Sequence, residues 1–396
     1  MQLAERQIIK STEHRFAEID ELAFKSKNLY NAANYVIRQS FVYGWSYINY
    51  NEMNRLMKSH QAYKAWPAKV SQQILMILDQ NWKSFFEAVK ADQVDSSKFT
   101  GSPKLPKYKD QVKGRNILVY TIQAITSKQL QKGIIKLSGT NLSIKTKVNP
   151  DQICQVRLVP KCDSYVIEVI YDKSESTVSD DKFVASIDLG LNNLVALTSN
   201  QPGFSPLLIN GRPLKSINQF YNKRKARLQS QLKGSRKSSP RIQRLTRCRH
   251  QKIDNYLHHA SRLVDLLVVQ QIGTLVIGKN AQWKTEIDLG KPTNQNFVSV
   301  PHARLIEMLE YKARLVGIKV LQQEESYTSQ SNFLGLDPIP VYGKTDKDVV
   351  FSGKRIKRGL YRTSVGQLIN SDVNGACNIL RKAIPNAFST LDRSWA

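Results

Sequence analysis

The first hundred residues change from a strand pattern to a helical one. Residues 2–10 have strand character, and from Glu13 onward apolar residues recur with the helical period. A second helical pattern follows Pro67. These patterns predict a helical unit over residues 11–97. Its inward-facing residues are predicted to be Phe16, Ile19, Leu22, Ala23, Leu29, Tyr30, Ala33, Val36 and Ile37 in the first helix, and Val70, Ile74, Ile77, Leu78, Trp82, Phe85, Phe86 and Val89 in the second.

Apolar and polar positions then alternate over residues 117–173, as expected of β-strands. The short runs at 142–148 and 165–171 are examples. Together with the strand at residues 2–10, these runs predict one β domain, a small β-barrel or sheet, formed by residues 1–10 and 98–181. The helical unit is inserted into it.

Residues 183–197, FVASIDLGLNNLVAL, have the pattern of a β-hairpin. Gly190 permits a tight bend, and Asn192 and Asn193 are typical turn residues. Asp188 then ends the first strand, where a carboxylate is costly to bury unless it is paired or bound to a metal. Taken alone, the stretch is better explained by an Asp that only caps a turn.

The remaining elements complete an α/β domain. A short strand ends at Asn210, a long helical excursion follows, and residues 274–277 form a buried strand. A helix over 302–316 leads to a strand at 318–321, and a last helix begins near Asp372. This order of strands and helices is that of an RNase H-like fold.

Charge changes the picture, because the chain has 59 Lys and Arg against 32 Asp and Glu, a formal net charge of +27. Such an excess favours a polyanionic partner. Between Asp188 and Asp254 there are 14 Lys and Arg and no acidic residue. A solvated helix surface would mix both signs, so we predict two basic helices, separated by residues 234–240, that contact a duplex backbone.

Two further basic clusters occur in irregular stretches. The proline-containing segment 99–110 suits phosphate contact, although a solvated linker fits it nearly as well, and the loop 352–362 is the second cluster. The residues predicted to bind nucleic acid are Lys104, Lys107, Tyr108, Lys223, Arg224, Lys225, Arg227, Arg241, Arg244, Lys354, Arg355, Lys357 and Arg358.

Two of the acidic residues are expected to converge. Asp188 on the first strand and Asp372 at the last helix should face one point, beside a third carboxylate. Three carboxylates within about 4 Å would repel by roughly 4 kcal/mol per pair at an effective dielectric near 20. Divalent cations, in our prediction two Mg²⁺ ions, resolve that conflict and would clamp a phosphodiester between them.

The chain resembles the TnpB (OrfB) proteins of insertion sequences, whose RuvC-like nuclease is shared with type V CRISPR effectors and Fanzor proteins. The resemblance covers most of residues 99–383 and rests on SIDLGLNNLVALTS, LVIGKNAQWK, PHARLIEMLEYKARLVGIKV, EESYTSQ, RIKRGLYR, DVNGACNILRK and the segment GSPKLPKYKD. It implies a transposon-encoded, RNA-guided DNA endonuclease that cleaves double-stranded DNA next to a short motif. Its partners would be a guide RNA and the target DNA.

The resemblance also implies a division into domains. The β domain would be wedge-like, and residues 11–97 would be the helical recognition domain. Residues 182–329 and 369–396 would form the RuvC-like nuclease domain, whose basic helices lie at 212–270. The insertion 330–368 would bind target nucleic acid.

The acidic residues depart from the family pattern at one position. The family's second acid commonly ends the strand that here ends at Gly278, which cannot bind a metal. Some relatives place a glutamate just before the YTS segment, and Glu325 matches that arrangement. Glu324 is the substitute, and adjacent strand residues face opposite sides, so only one should point at the metals. The resemblance thus implies Asp188, Glu325 and Asp372 as catalytic and metal-binding residues.

The cysteines predict neither zinc nor disulfides. Cys154, Cys162, Cys248 and Cys377 form no CxxC pair, and residues 330–368, where many relatives carry a zinc ribbon, contain none. A reducing, cytoplasmic compartment of a prokaryote is expected, with association to the nucleoid when DNA is bound. No apolar run reaches about 18 residues, so we expect no membrane span.

Two other functions stay open. One is a guide-directed DNA-binding protein that has lost cleavage. The other is a DNA transposase with RNase H-like chemistry that recognises transposon ends without RNA. Copurified RNA would separate the guided proteins from the transposase.

Overall fold

The computed structural model describes residues 1–234, 236–280, 298–341 and 349–388. By contacts the chain divides into two compact units, Met1–Lys173 and Ser174–Ala396. The finer domain boundaries given above stay predictions. Within the described residues, none of the helices combines the length and hydrophobicity that a bilayer-spanning segment needs.

The helices of the first unit follow the predicted periods. They are α1 (Arg15–Val42), α2 (Tyr50–Met57), α3 (Gln61–Lys64) and α4 (Ala68–Val94). Most of the predicted inward positions are buried, and the rest are partly buried. The buried ones are Ile19, Leu22, Ala23, Leu29, Tyr30, Ala33 and Ile37 in α1, and Val70, Ile74, Leu78 and Trp82 in α4.

The strands of the first unit form an open sheet. β1 (Gln2–Lys10), β2 (Leu118–Thr121), β5 (Ile153–Lys161) and β6 (Ser164–Asp172) pair antiparallel in the order β1-β6-β5-β2. After a one-turn helix, α5 (Ser127–Leu130), β3 (Ile134–Lys136) and β4 (Ser143–Lys145) pair only with each other.

The predicted β-barrel is therefore wrong as a closed structure, and the β domain is a sheet. β1 and β2 are its edges, each with a single partner strand. β3 and β4 form a separate hairpin. Four strands are too few to close around a packed interior.

The second unit contains a five-stranded mixed sheet. Its strands are β7 (Phe183–Asp188), β8 (Asn193–Ser199), β9 (Leu207–Asn210), β10 (Ile272–Gly278) and β11 (Lys319–Gln323). The order is β11-β10-β7-β8-β9, with β7, β10 and β11 parallel and β8 antiparallel to both of its neighbours. The predicted hairpin at 183–197 is confirmed.

Helices cover both faces of this sheet. α6 (Arg212–Ser230), α7 (Pro240–Ala260) and α8 (Leu263–Val269) follow β9, and α9 (His302–Leu315) precedes β11. The last helix, α10 (Ser371–Ala383), packs on the opposite face. Alternation along β7 fits this arrangement, since Ala185 and Ile187 join the core with α7, α8 and α9, and Val184 joins the core with α10.

The predicted basic loop at 352–362 forms most of a small antiparallel sheet. Its strands are β12 (Lys354–Lys357), β13 (Leu360–Arg362) and β14 (Leu368–Asn370). β14 runs directly into α10, so this basic sheet is joined without a linker to the helix that carries Asp372.

Candidate functional site

Asp188 ends β7 on the side of the sheet that faces α10. One turn of α10 lies close enough that a Cβ added to Gly375 would be 2.6 Å from Asp188 Oδ2. Glycine in a helix interior costs about 1 kcal/mol relative to alanine. At position 375 the absence of a side chain leaves room for the Asp188 carboxylate.

Asp372 lies in the first turn of α10. The side chain of Asn370 caps the helix, because its Oδ1 accepts from the backbone N–H groups of Asp372 (2.9 Å) and Val373 (3.2 Å). The Asp372 carboxylate accepts from Asn193 Nδ2 (2.8 Å) and lies 3.6 Å from the guanidinium of Arg355. A carboxylate at a helix N-terminus is favoured by the helix dipole.

Glu325 follows β11 and fills the space beside Gly278. A Cβ added to Gly278 would be 2.7 Å from Glu325 Oε2. The backbone N–H of Glu325 donates to Asn280 Oδ1 (3.0 Å), which fixes the start of the loop. Among the described residues, Glu325 Oε2 is buried and has no hydrogen-bond partner. The missing side chain of Gly278 therefore makes room for an acid supplied from the neighbouring strand.

Glu324 points elsewhere. Its carboxylate accepts from Lys382 Nζ (2.5 Å), and the same ammonium donates to the carbonyls of Ser326 and Pro340, both at 3.0 Å. Burial raises the pKa of Glu324, but the hydrogen bonds from Lys382 and Ser326 outweigh burial and leave that pKa lowered. Glu324 does not line the cavity described next.

The three predicted acids share one cavity of about 630 Å³, lined also by Arg355, Arg358 and the turn 189–193. Burial, and secondarily the charge of Asp372, raises the pKa of Asp188 to about 7. Burial, and secondarily the charge of Asp188, raises the pKa of Glu325 to about 8. Buried acids whose pKa values are raised in this way are typical of functional sites.

The donor chemistry of the cavity fits a hard divalent cation. Carboxylate oxygens are the ligands that Mg²⁺ prefers, and Mg²⁺ usually keeps several waters while taking one or two carboxylates. Among the described residues, no group of three or more Asp, Glu, His or Cys side chains is already arranged to hold a metal ion. The fit therefore rests on the shared cavity, the raised pKa values and the unpartnered Glu325 Oε2.

Two residues at or next to this cavity are not among the predicted site residues. His302 is fully buried, and its Nε2 hydrogen-bonds the carbonyl of Gly190 (3.1 Å), which positions the turn after Asp188. Tyr327 lines the cavity with a φ of 65°, a left-handed conformation that is uncommon for a residue other than glycine. Strained backbone of this kind concentrates at functional sites.

The residues predicted to contact nucleic acid belong to three parts of the chain. Arg355 and Arg358 line the acidic cavity from the basic sheet. Lys223, Arg224, Lys225 and Arg227 lie on α6, and Arg241 and Arg244 lie on α7. Lys104, Lys107 and Tyr108 are exposed in the first unit. The pairing of Arg355 with Asp372 was not predicted from the sequence, in which Arg355 is one of several basic residues.

Two family models match the chain. Residues 164–284, which include Asp188, match OrfB_IS605, described as a probable transposase. Residues 302–379, which include Glu325 and Asp372, match the Cas12f1-like TNB domain.

Among curated proteins, the TnpB-like protein ORF457 of Acidianus two-tailed virus is 27% identical over 213 residues. The alignment covers 51% of this chain and 42% of that protein, so the chain spans less than half of this relative's length.

Two solved structures illustrate the structural similarities. A Cas12f1–sgRNA–target DNA complex has a TM-score of 0.37 and 13% identity, with 95% of this chain and 98% of that chain covered. C2c1 of Alicyclobacillus acidoterrestris in complex with single-guide RNA has a TM-score of 0.41 and 8% identity, with 87% and 64% covered.

Proposed function

This chain belongs to the TnpB family, and from that premise we propose that it is a transposon-encoded, RNA-guided endonuclease with a RuvC-like nuclease domain. It would cleave double-stranded DNA next to a short motif. The observation that carries the proposal is the cavity shared by Asp188, Glu325 and Asp372, in which burial raises the pKa values of Asp188 and Glu325. The strand order β11-β10-β7-β8-β9, with Asp188 on the central strand, supports the RNase H-like assignment.

The metal ligands in this proposal are Asp188, Glu325 and Asp372. Bound Mg²⁺ would supply an activated water for attack on the phosphodiester and stabilisation of the leaving oxygen. Zinc has no part in the proposal. Glu324 is not a ligand, because its carboxylate is already held by Lys382.

Arg355 is the residue that receives the phosphodiester. Its guanidinium pairs with Asp372 at 3.6 Å and donates to Ser371 Oγ at 3.1 Å, at the rim of the cavity. A guanidinium can contact two phosphate oxygens at once, so it can exchange these contacts for the substrate. Asn193 keeps Asp372 oriented while Arg355 moves.

The proposed partners are a guide RNA and its DNA target. Base pairing with the guide would select the DNA sequence, and the protein would contact the backbone. The helices α6 and α7 supply a long stretch of positive charge for that contact, because no acidic residue occurs between Asp188 and Asp254. Binding should weaken steeply with salt as phosphate contacts release counterions.

The test is guided cleavage by the whole protein. The protein is expressed together with its flanking transposon sequence, the RNA that copurifies is sequenced, and a matching DNA target with randomised flanks is supplied with Mg²⁺. We expect RNA-dependent cleavage beside one flanking motif. The Asp188→Ala protein should lose cleavage and keep guide-dependent binding.

Two results would contradict this proposal. Equal behaviour of wild type and Asp188→Ala, with binding but no cleavage, would favour a guided DNA-binding protein. Cleavage of transposon ends without RNA would favour a transposase.

A further inference from the structure

In the first unit, an exposed irregular segment is held in a fixed shape by one ridge of α1. We call residues 104–111 the strap. The ridge consists of Lys27, Asn31 and Asn34, whose spacing of four and three residues places them on one face of the helix. Their side chains donate to strap carbonyls, Lys27 to Gln111 (2.7 Å), Asn31 to Lys109 (2.9 Å) and Asn34 to Pro106 (3.1 Å).

Two further bonds make this arrangement rigid. The side-chain oxygen of Asn31 accepts from the backbone N–H of Lys109 (2.9 Å), so one amide satisfies both backbone groups of that residue. The side-chain oxygen of Asn34 accepts from Trp82 Nε1 (2.9 Å), which fixes the orientation of the amide. Hydrogen bonds from α1 therefore hold the strap at three of its residues.

The ridge places polar side chains in the protein interior, where their burial costs free energy. Lys27 is 3% exposed and Asn34 is fully buried. A buried ammonium is costly unless it is compensated, and here a carbonyl and the ring of Phe24, 3.7 Å away, compensate it. Both side chains donate to carbonyls of the strap. The polar ridge thus serves to fix the shape of an exposed segment.

The strap presents cations and an aromatic ring together. Lys104, Lys107 and Tyr108 are exposed, and the Tyr108 ring lies 4.8 Å from the guanidinium carbon of Arg38. They line a cavity of about 520 Å³ whose other wall is α4. Lysines contact phosphates, and a tyrosine face is a stacking surface for a base whose own stacking partner is missing.

We propose that the strap and the adjoining faces of α1 and α4 form a preformed site for one unpaired nucleotide of a nucleic-acid strand. The phosphates on either side lie against Lys104 and Lys107, and the base stacks on Tyr108, whose ring is held by Arg38. Because the ridge orders the strap before binding, little conformational entropy is lost when the strand binds. The identity of the polymer rests on the proposed function. The site itself does not involve the acidic cavity.

The test uses the full-length protein in EDTA, so that no strand is cut. The probes are fluorescein-labelled oligo(U) and oligo(dT) of 20 nucleotides and a 20-base-pair DNA duplex, with affinity measured by anisotropy at several salt concentrations. An oligo(U) carrying 5-iodouracil, crosslinked and mapped by peptide mass spectrometry, reports where the strand lies. Comparison of oligo(U) with oligo(dT) distinguishes an RNA strand from a DNA strand.

Substitution of Tyr108 is the decisive variant. Tyr108→Ala should weaken single-strand binding by about 5-fold to 150-fold with an unchanged salt slope, because stacking of a base is worth about 1–3 kcal/mol. Tyr108→Phe should bind like wild type. Lys107→Gln should lower the salt slope by about one, and Lys161→Gln, at an exposed lysine at the end of β5, should leave binding to the strap unchanged.

Asn31→Ala tests whether the ordered conformation of the strap matters for binding, because it leaves the charge of the protein unchanged. It removes two hydrogen bonds to the strap and no charge. It should weaken single-strand binding and the strap crosslink at an unchanged salt slope, while circular dichroism confirms folding.

The inference is overturned if Tyr108→Ala and Asn31→Ala bind single strands as wild type does, if crosslinks fall outside the strap, or if the duplex loses as much affinity as the single strands. Guided DNA cleavage with unaffected strap variants would refute only this inference. Strap binding without guided cleavage would refute only the proposed function.

Discussion

The acidic cavity and the strap use buried polar groups in opposite ways. In the strap, the amide and ammonium groups of the α1 ridge all have partners, and the result is a fixed surface. In the cavity, among the described residues, Glu325 Oε2 is buried with no partner, and two carboxylates have raised pKa values. Satisfied polar groups determine a shape, whereas unsatisfied ones indicate a ligand that still has to bind.

The difference also separates two kinds of mutation. A change in the cavity should affect chemistry, because the three acids line one cavity and two of them have raised pKa values. A change around a satisfied polar group should affect stability or order. Neighbouring residues 324 and 325 offer this comparison within two positions of the chain.

The largest expected effect is that of Glu325→Gln. It should reduce guided DNA cleavage by about 100-fold or more, since an oxygen that would bind a metal is lost from the cavity. Glu324→Gln should cleave nearly as well as wild type at 25 °C but unfold at a lower temperature, because it leaves the buried Lys382 without its anion. Cleavage assays and thermal unfolding of both variants check this contrast. The reverse pattern would assign the metal to Glu324.

A smaller effect is expected when space is filled beside Asp188. Gly375→Ala places a methyl group 2.6 Å from Asp188 Oδ2, so the carboxylate must shift. Misplacement of a reacting group by about 1 Å can cost roughly 100-fold, and we expect a loss of cleavage between about 10-fold and 100-fold. Cleavage is compared with that of the wild type, and circular dichroism checks that the variant folds. Cleavage at the wild-type rate would show that Asp188 needs no such room.

Local patterns in the sequence were sufficient to predict the strand that ends at Asp188 and the helix that carries Asp372. The hairpin whose first strand ends at Asp188 follows from a short apolar run and turn residues, and the helix predicted to begin near Asp372 begins at Ser371. Placing Glu325 required a resemblance, because position in the chain alone does not say which of two adjacent glutamates faces the cavity. The contacts of Lys382 with Glu324 decide that question in three dimensions.

Contacts between residues far apart in the chain could not be predicted from the sequence. Alternating residues predicted strands at 117–173 but not whether the edges of their sheet meet, and the sheet is open. The close approach of Gly278 to Glu325 joins residues 47 positions apart, and the ridge of α1 contacts a segment more than 70 residues away. Neither contact leaves a periodic signal along the chain.

The smallest effect follows from the pKa values of the cavity. The pKa of Asp188 rises from 3.8 to about 7 and that of Glu325 from 4.5 to about 8. Between the unfolded and the folded pKa values, the folded protein binds more protons than the unfolded chain. The free energy of unfolding without metal should therefore fall as pH rises from about 4 to 8. Glu325→Gln should flatten this dependence.

The central claim, that the buried acids form a cation site, is tested most directly by thermal unfolding at pH 8 in EDTA and in MgCl₂. Mg²⁺ should raise the melting temperature of the wild type by a few degrees, because a ligand that binds only the folded state stabilises it, and should leave Glu325→Gln nearly unchanged. Equal shifts in the two proteins, or no shift in the wild type, would contradict the claim.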